Sequence, residues 1–275
     1  MNATPTQDRY QIAPDTWIIP QLVPVGAAEV AAINSMVILA AEPVIVDTGT
    51  SVNRDDWLED AFTLVEPGDV RWIFLSHGDR DHTGNWSPLL ERCPHAIVVT
   101  NEWGVRSMLA DGAPSPERML WVNDGESFSA GDRVLNAVRP PLWDGTGTRG
   151  LYDGTTGVYW AADCFASLLD GPVTNAGQLQ RDFWRDSFVY EHRSYAEWLP
   201  LTDPIKYDTQ VRASERLRPS VVASAHGPVL TGAMVGDAYQ LLHRVARMGP
   251  VPPNGQSTLE EIVRATAAME STQAA

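Results

Sequence analysis

The sequence predicts an α/β fold, and three features of the chain lead to that prediction. The first half alternates short apolar runs rich in β-branched residues with stretches of helical periodicity. The middle of the chain shifts towards strands joined by glycine-rich turns. Several apolar runs end in an aspartate or a histidine, which is how α/β proteins commonly gather a functional site. With 275 residues, the chain is long enough to bury a large core.

The first half contains the clearest elements. Strands are predicted over residues 16–19, 36–39 and 44–46, the second of them entered through Asn34 and Ser35. A helix is predicted to begin at Asn53, because Asp56 follows three residues later and apolar residues then recur along one face. A strand over 72–75, a short helix around Leu89, a strand over 96–99 and a helix over 102–109 complete this half.

The second half is expected to add strands and then helices. A strand is predicted near residues 133–135, a hairpin over 151–163 and a strand over 220–224, with helical sequence between the last two. We expect a single domain over 1–275 with a helical extension from about 232 to 275. Its last helix is predicted to start with a capping box of Ser257 and Glu260. Leu259, Ile262, Val263 and Met269 give it an apolar face suited to docking on the body or on a second copy in a homo-oligomer.

Composition and charge exclude several classes of function. The chain carries 35 acidic and 20 basic side chains, a formal charge of −15, and no basic run offsets it locally. Binding to nucleic acid or to an anionic membrane is therefore not expected. Cys93 and Cys164 are the only cysteines, and the first residues lack an apolar signal segment. Together with the absence of a run long enough to span a membrane, this favours a reducing cytoplasm.

The most informative stretch is His77-x-Asp79-x-Asp81-His82. It follows the predicted strand over 72–75 and places two imidazoles and two carboxylates within six positions. Such a cluster needs a cation or open water to satisfy its charges. A bound metal is one such cation, while Arg80 within the stretch is another, so a solvated polar loop is the alternative.

Potential ligands recur where other strands end. Asp47 follows the strand over 44–46, Asp163 ends the second arm of the hairpin, and His226 follows the strand over 220–224. Together with His77 these residues are expected to form a site along one sheet edge, because the recurrence exceeds what ordinary turn chemistry explains.

Other motifs are interpreted as structural. Gly145, Gly147 and Gly150 match G-x-G-x-x-G, but a hairpin rather than a helix follows, so a dinucleotide site is not expected. His95 is assigned to a surface turn and His243 to a helix outside the site. His192, beside Glu191, is either a proton donor near the site or a surface residue, and the surface is preferred.

The motif order resembles that of the metallo-β-lactamase fold superfamily. The resemblance covers about residues 16–230 and rests on the cluster from His77 to His82, on Asp163, on His226-Gly227-Pro228 and on Asp47-x-Gly49. It implies a four-layer αββα sandwich. Most hydrolases of the superfamily have a second histidine where this chain has Asp79. A carboxylate there is similar to the oxygen-binding diiron branch, which includes the catalytic domain of flavodiiron proteins.

One departure from the family pattern concerns a missing histidine. The family usually has one between His82 and Asp163, and this sequence has none in the corresponding loop. Asp144 stands nineteen residues before Asp163, where that histidine is expected. Related diiron hydroxylases resemble this arrangement with an acid there. Either Asp144 is a ligand, or the first metal position is weakened and Asp144 is a turn residue.

The resemblance implies two sets of ligand residues, one set for each of two metal ions. His77, Asp79 and Asp144 would bind one metal, Asp81 and His226 the other, and Asp163 would bridge them. His82 would be either a ligand or a supporting group, and Asp47 would orient a ligating histidine. A donor set of carboxylate and imidazole without thiolate favours iron, and leaves manganese or zinc open.

Two classes of enzyme and one binding protein follow from this site. A diiron pair would bind dioxygen or nitric oxide and act as an oxidoreductase with electrons from a separate redox protein. Two zinc ions would instead generate a hydroxide that hydrolyses a small ester, lactone or thioester, with Asp81 handling protons. Asp81 and His82 are the predicted catalytic residues. An oxygen or metal sensor without turnover is the third alternative.

Overall fold

The computed structural model describes residues 7–25, 29–109, 112–249 and 251–273. Two β-sheets pack face to face in it, and helices cover the outer face of each. Ile18 and Phe74 of one sheet and Leu135 and Trp160 of the other share the core between the sheets. This is the predicted αββα sandwich.

The first sheet has seven strands in chain order. The pairs from β1 to β4 are antiparallel, and those from β4 to β7 are parallel. The strands are β1 (Tyr10–Ala13), β2 (Thr16–Pro24), β3 (Val30–Ile38), β4 (Val44–Val46), β5 (Trp72–Phe74), β6 (Ile97–Thr100) and β7 (Met119–Trp121).

The second sheet has six strands in the order β13-β12-β11-β10-β9-β8. Only the β11–β12 pair is parallel among its pairings. The strands are β8 (Ser127–Ser129), β9 (Val134–Val138), β10 (Gly150–Asp153), β11 (Val158–Trp160), β12 (Val221–Ala223) and β13 (Leu230–Thr231).

Each sheet has its own layer of helices. The helices that follow β4, β5 and β6 are α1 (Arg54–Leu64), α2 (Arg80–Thr83), α3 (Trp86–Arg92) and α4 (Glu102–Met108). Those of the second half are α5 (Arg181–Tyr195), α6 (Pro204–Glu215), α7 (Ala233–Val245) and α8 (Gln256–Gln273). Trp57 of α1 packs with Ile45 on the outside of the first sheet, and Phe188 of α5 packs with Val222 on the outside of the second.

Strand β4 shows why the sequence pattern of the central strands is continuous rather than alternating. Val44 and Val46 lie in the core between the sheets, whereas Ile45 lies in the core beneath the helices. All three residues are fully buried. A strand covered on both faces needs apolar residues at every position, so the run Val-Ile-Val identified it in the sequence.

Some predicted boundaries were wrong. Strand β3 begins at Val30, so Asn34 and Ser35 lie inside it instead of leading into it. Helix α8 begins at Gln256, which places Ser257 within the helix and rules out the capping box that was predicted. Leu259, Ile262 and Val263 of that helix are more than half exposed. Helix α4 ends at Met108, one residue before its predicted end at Leu109.

None of the helices in the described part of the chain combines the length and the apolar character that crossing a bilayer requires.

Candidate metal centre

The candidate site lies where the carboxyl ends of strands from both sheets meet. Asp47 and His77 come just after β4 and β5 of the first sheet. Asp163 and His226 come just after β11 and β12 of the second. The expectation of a site along one sheet edge was therefore wrong, because strands of both sheets contribute to it.

One group of ligand atoms surrounds the imidazole of His77. Its Nε2 lies 3.4 Å from Asp163 Oδ2, 3.7 Å from Asp144 Oδ2 and 3.8 Å from Asp79 Oδ2. Asp79 comes from the turn before α2 and Asp144 from the loop between β9 and β10. The structure thus brings the sequence-distant Asp144 next to His77 and Asp79.

A second group lies on the other side of Asp163. His226 Nε2 is 3.2 Å from Asp81 Oδ2 and 3.3 Å from Asp163 Oδ1. His82 Nε2 is 3.0 Å from the same Oδ1 and 3.6 Å from Asp81 Oδ2. Asp163 therefore presents one carboxylate oxygen to each group. All seven residues predicted as metal ligands meet in this site.

The three histidines present the same nitrogen to the centre. The Nδ1 atom of each is occupied by a neighbour: Ser76 Oγ at 3.1 Å for His77, Asp47 Oδ2 at 3.0 Å for His82, and the backbone oxygen of Ala32 at 3.1 Å for His226. Such contacts fix the ring orientation and place the proton on Nδ1. The Nε2 lone pairs are left to point into the site.

Several of these inward-facing atoms lack the partners that buried polar atoms normally have. His77 Nε2, His82 Nε2 and Asp163 Oδ1 are inaccessible to solvent and form no hydrogen bond with the described residues. His82 Nε2 and Asp163 Oδ1 are 3.0 Å apart, yet their geometry is not that of a hydrogen bond. Orphaned buried polar atoms are rare in native folds. A cation between them satisfies these atoms, so the residues present fit a metal ion.

The donor atoms also have the spacing that metal ions need. Three combinations place all their ligand atoms within 4.8 Å of one another: His77, His82 and Asp163; Asp81, His82 and His226; and His77, Asp79 and Asp144. Every donor is an imidazole nitrogen or a carboxylate oxygen. Cys164 follows Asp163 in sequence, but it lies in the core, where burial raises the pKa of its thiol to about 12.

Asp47 supports the site from beneath. Its carboxylate accepts hydrogen bonds from Ser76 N (2.7 Å), Ser76 Oγ (2.7 Å) and Trp160 Nε1 (3.1 Å), in addition to its contact with His82. Asp47 has φ of 53° and Gly49 has φ of 60°, a left-handed turn that glycine and aspartate tolerate better than most residues. Ser76 was missed by the sequence analysis, because nothing in its own neighbourhood marks it as the link between Asp47 and His77.

The metal-free site is a network of opposite charges. Burial opposes ionisation of Asp163, but the charges of His77 and His82 outweigh it and hold the pKa of that carboxyl well below its usual range. Burial likewise opposes a charge on His226, but the neighbouring carboxylates of Asp163 and Asp81 raise its pKa to about 10. For His82, the charges of Asp163 and Asp47 outweigh burial and raise the pKa.

A hydrogen bond orients the carboxylate of Asp144 near His77. Thr148 Oγ1 donates a hydrogen bond of 3.2 Å to its Oδ1, which leaves Oδ2 towards His77. Burial and the neighbouring Asp163 raise the pKa of its carboxyl. The direction of this shift is that of a carboxylate without its own cation.

Solvent reaches the site on the side of Asp79. A cavity of about 260 Å³ is lined there by His77, Asp79, Trp103 and Arg106, among others. The side chain of Asp79 is 60% exposed, whereas that of His77 is only 4% exposed. A Cβ atom on Gly78 would lie 2.3 Å from Cβ of Ser107, so helix α4 can approach the metal-binding loop only because residue 78 is glycine. The contribution of α4 was also missed by the sequence analysis.

The other histidines lie outside the centre. His192 is fully buried, so its preferred assignment to the surface was wrong. Its Nδ1 donates to the backbone oxygen of Phe188 (2.7 Å), and its Nε2 accepts from the backbone N of Phe165 (2.8 Å). His95 is exposed as expected, and His243 pairs with Asp208 at 2.5 Å. Gly150 begins strand β10 and no helix follows it, in line with the rejection of a dinucleotide site.

Comparison with known families agrees with this architecture. The profile of the metallo-β-lactamase superfamily matches residues 28–162. The chain has the metallo-β-lactamase fold. It is 26% identical over 201 residues to the putative diflavin flavoprotein A 1 of Thermosynechococcus vestitus and 27% identical over 207 residues to the type A flavoprotein fprA of Rhodobacter capsulatus. Each alignment covers 72% of this chain, but only 34% and 45% of those relatives.

Solved structures with this metallo-β-lactamase fold include flavodiiron proteins. The flavodiiron protein of Giardia intestinalis superposes with a TM-score of 0.75 at 16% identity over 88% of this chain and 60% of that one. Rubredoxin oxygen:oxidoreductase of Desulfovibrio gigas gives 0.73 at 16% identity over 89% and 63%. The diiron chemotaxis sensor ODP gives 0.66 at 19% identity over 93% of this chain and 100% of that one. At these identities the likeness shows the shared fold.

Proposed function

We propose that this protein is a dinuclear iron oxidoreductase that binds dioxygen or nitric oxide at its metal centre and receives electrons from a separate redox protein. The observation that carries the proposal is the position of Asp163. Its two carboxylate oxygens face two different groups of ligand atoms, 3.4 Å from His77 Nε2 on one side and 3.3 Å from His226 Nε2 on the other. A carboxylate in that position suits a bridge between two metal ions.

The residues divide into two sets under this proposal. His77, Asp79 and Asp144 hold one iron, and Asp81, His82 and His226 hold the other, with Asp163 shared between them. When bound, the two irons supply the redox chemistry. Asp47 keeps the imidazole of His82 in place, and its replacement is expected to affect the metal without touching it.

Asp81 and His82 are proposed to act during catalysis as well. The side chain of Asp81 is 34% exposed, so it reaches both the inner site and solvent. Burial opposes its ionisation, but the hydrogen bond from His226 and the charge of His82 lower its pKa, and it is a carboxylate at neutral pH. Its location between solvent and the inner site, not its acidity, suits Asp81 to pass protons inwards from water to the reduced substrate. His82, 1% exposed, excludes water from the same side of Asp163.

The acids of the centre favour iron over zinc. Four carboxylates, those of Asp79, Asp81, Asp144 and Asp163, converge on the imidazoles of His77, His82 and His226. Hard oxygen donors with negative charge stabilise the higher oxidation states that redox chemistry uses. The similarity to proteins named as flavoproteins and to a nitric oxide reductase of Moorella thermoacetica, 23% identical over 109 residues, favours this function over a zinc hydrolase.

Metal analysis combined with oxygen consumption tests the proposal. The protein is purified anaerobically from cells supplied with both iron and zinc, and its metal content is measured. We expect about two irons per chain, as the two groups of ligands imply. After anaerobic reduction and removal of the reductant, the protein is mixed with dissolved oxygen or nitric oxide. Consumption should scale with the iron content and disappear in the Asp163→Ala variant.

Two results would contradict the proposed function. Stoichiometric zinc, together with hydrolysis of ester, lactone or thioester substrates, would overturn the diiron proposal and establish the hydrolase. Iron-loaded protein that consumes neither gas would overturn the proposed reaction, while leaving the metal assignment in place.

A sensor without turnover is the second candidate function. The observation in its favour is the likeness to the diiron chemotaxis sensor ODP, which superposes over 93% of this chain with a TM-score of 0.66. Repeated cycles of reduction and oxygen exposure distinguish the two. An oxidoreductase consumes the gas in every cycle, and a sensor binds it once and releases it unchanged.

A further inference from the structure

A second cavity, separate from the metal centre, lies beside helix α6. It has a volume of about 340 Å³ and is lined by Pro141, Trp143, Trp198, Lys206, Tyr207 and Gln210, with Thr202 and Asp203 at its rim. This volume is within the range of small-molecule sites.

The walls of the cavity are aromatic. The ring centroids of Trp143 and Trp198 are 4.7 Å apart, and Trp198 Nε1 donates a hydrogen bond of 2.9 Å to the backbone oxygen of Trp143. The guanidinium of Arg139 lies 5.0 Å from the ring centroid of Trp143. Two indoles fixed in this way offer a preformed surface on which a planar ring can stack.

Lys206 supplies a positive charge at the cavity, and it is the only lysine in the 275 residues. Its ammonium forms no hydrogen bond or ion pair within the described part of the chain, although the protein is strongly acidic. The nearby carboxylate of Asp203 is already used, because it accepts hydrogen bonds from the backbone N of Ile205 (2.8 Å) and of Lys206 (3.4 Å) at the start of α6.

Tyr207 also lines the cavity, but its hydroxyl is buried in the protein. The residue is 5% exposed, and the hydroxyl is inaccessible to solvent. Tyr207 therefore adds its ring to the aromatic wall and no polar group.

We propose that this cavity is a second binding site, for a planar aromatic anion that stacks on Trp198 and pairs with Lys206. The aromatic walls recognise the ring, and the single ammonium recognises the negative group. The site does not depend on which metal occupies the centre. It is linked to the centre through the chain, since Trp143 directly precedes Asp144.

Direct titration with 2-naphthoate tests the site on the full-length, metal-loaded protein. Binding is followed by quenching of tryptophan fluorescence and by calorimetry, with the neutral analogue 2-naphthalenemethanol as the comparison ligand. We expect saturable binding of naphthoate at one site. The Lys206→Gln variant should bind about two- to fivefold more weakly, the effect of losing one exposed ion pair. Trp198→Leu should bind more weakly by about three- to tenfold, because the stacking surface is lost.

A matched control is available on the same helix. Arg216 is an exposed cation at the end of α6 away from the cavity, so Arg216→Gln changes the net charge equally and should bind naphthoate like the unmodified protein. Because Lys206 is the only lysine, acetylation by an amine-reactive ester gives a second readout. Naphthoate should slow acetylation of Lys206, with the amino terminus of the same molecule as the internal reference.

Either of two results would overturn the proposal. One is the absence of saturable naphthoate binding up to its solubility limit. The other is binding that Lys206→Gln, Trp198→Leu and Arg216→Gln leave equally strong, which would place the ligand elsewhere on the protein.

Discussion

Replacement of Asp47 by asparagine should weaken metal binding, although Asp47 is not among the proposed ligands. The side chain is fully buried and accepts from two atoms of Ser76, from Trp160 and from His82. Asparagine has the same shape and tolerates the left-handed backbone at this position. It offers one acceptor oxygen in place of two, and the amide group carries no charge.

The magnitude follows from the contacts. In either orientation of the new amide, its NH₂ group faces at least one of the former donors, and that buried donor loses its acceptor. We expect a cost of about 1–3 kcal/mol in the free energy of unfolding of the metal-free protein. The imidazole of His82 also loses a charged partner. Loss of such a partner typically lowers metal affinity by about 10- to 100-fold.

Asp153→Asn is the matched control. Asp153 is also buried, with hydrogen bonds from Arg133, Thr155 and Thr156, but it lies at the far end of the β10–β11 hairpin from the metal centre. Chelator competition measures metal affinity, and urea unfolding of the metal-free proteins measures stability. Both variants should lose stability, and only Asp47→Asn should lose metal affinity. Equal metal affinity in Asp47→Asn and the unmodified protein would refute the supporting role of Asp47.

Three further outcomes are expected. His77→Ala and Asp163→Ala should each abolish metal retention on gel filtration, and unchanged metal content in either would contradict the proposed ligands. Asp144→Ala should lose one of two metals by elemental analysis, whereas full occupancy would make Asp144 a turn residue. Burial lowers the pKa of His192 to about 4, despite its hydrogen bond to the backbone of Phe188. The unfolded chain therefore binds the extra proton between pH 6.5 and 4, and stability should fall by up to about 3 kcal/mol as the pH falls through that window. In urea unfolding of the metal-free protein, His192→Gln should show a correspondingly smaller pH dependence, and an identical one would refute this assignment.

The parts of the fold that the sequence predicted are those set by local pattern. Val44, Ile45 and Val46 could be assigned because a strand buried on both faces has no polar position. The predicted start of β3 was wrong because residues with little preference for the strand conformation extend it. Ala31 and Ala32 belong to β3 only because β2 pairs with them. His192 was misread although the signal was present. Trp184, Phe188 and His192 recur at intervals of four residues, which places all three on one buried helix face.

In the site, too, contiguous residues could be predicted from the sequence, whereas contacts between distant residues could not. The cluster from His77 to His82 is contiguous, so its chemistry was visible in the sequence. The role of Ser76 was not, because its hydroxyl acts only when Asp47, 29 positions away, accepts from it. The approach of α4 to Gly78 likewise depends on packing between elements. Long-range contacts of this kind leave no periodic trace in a single sequence.

The two proposed metal positions differ in charge, and this difference bears on how electrons enter. Around His77 lie the carboxylates of Asp79, Asp144 and Asp163 with one imidazole. Around His226 lie Asp81 and Asp163, with His82 as a second imidazole. More negative charge at the first position stabilises the more oxidised metal there, because Coulombic attraction grows with the charge of the ion. The first position is also the one that Asp79 and the cavity beside Trp103 expose to solvent. An external electron donor would therefore be expected to approach the site on this face, beside Asp79 and Trp103.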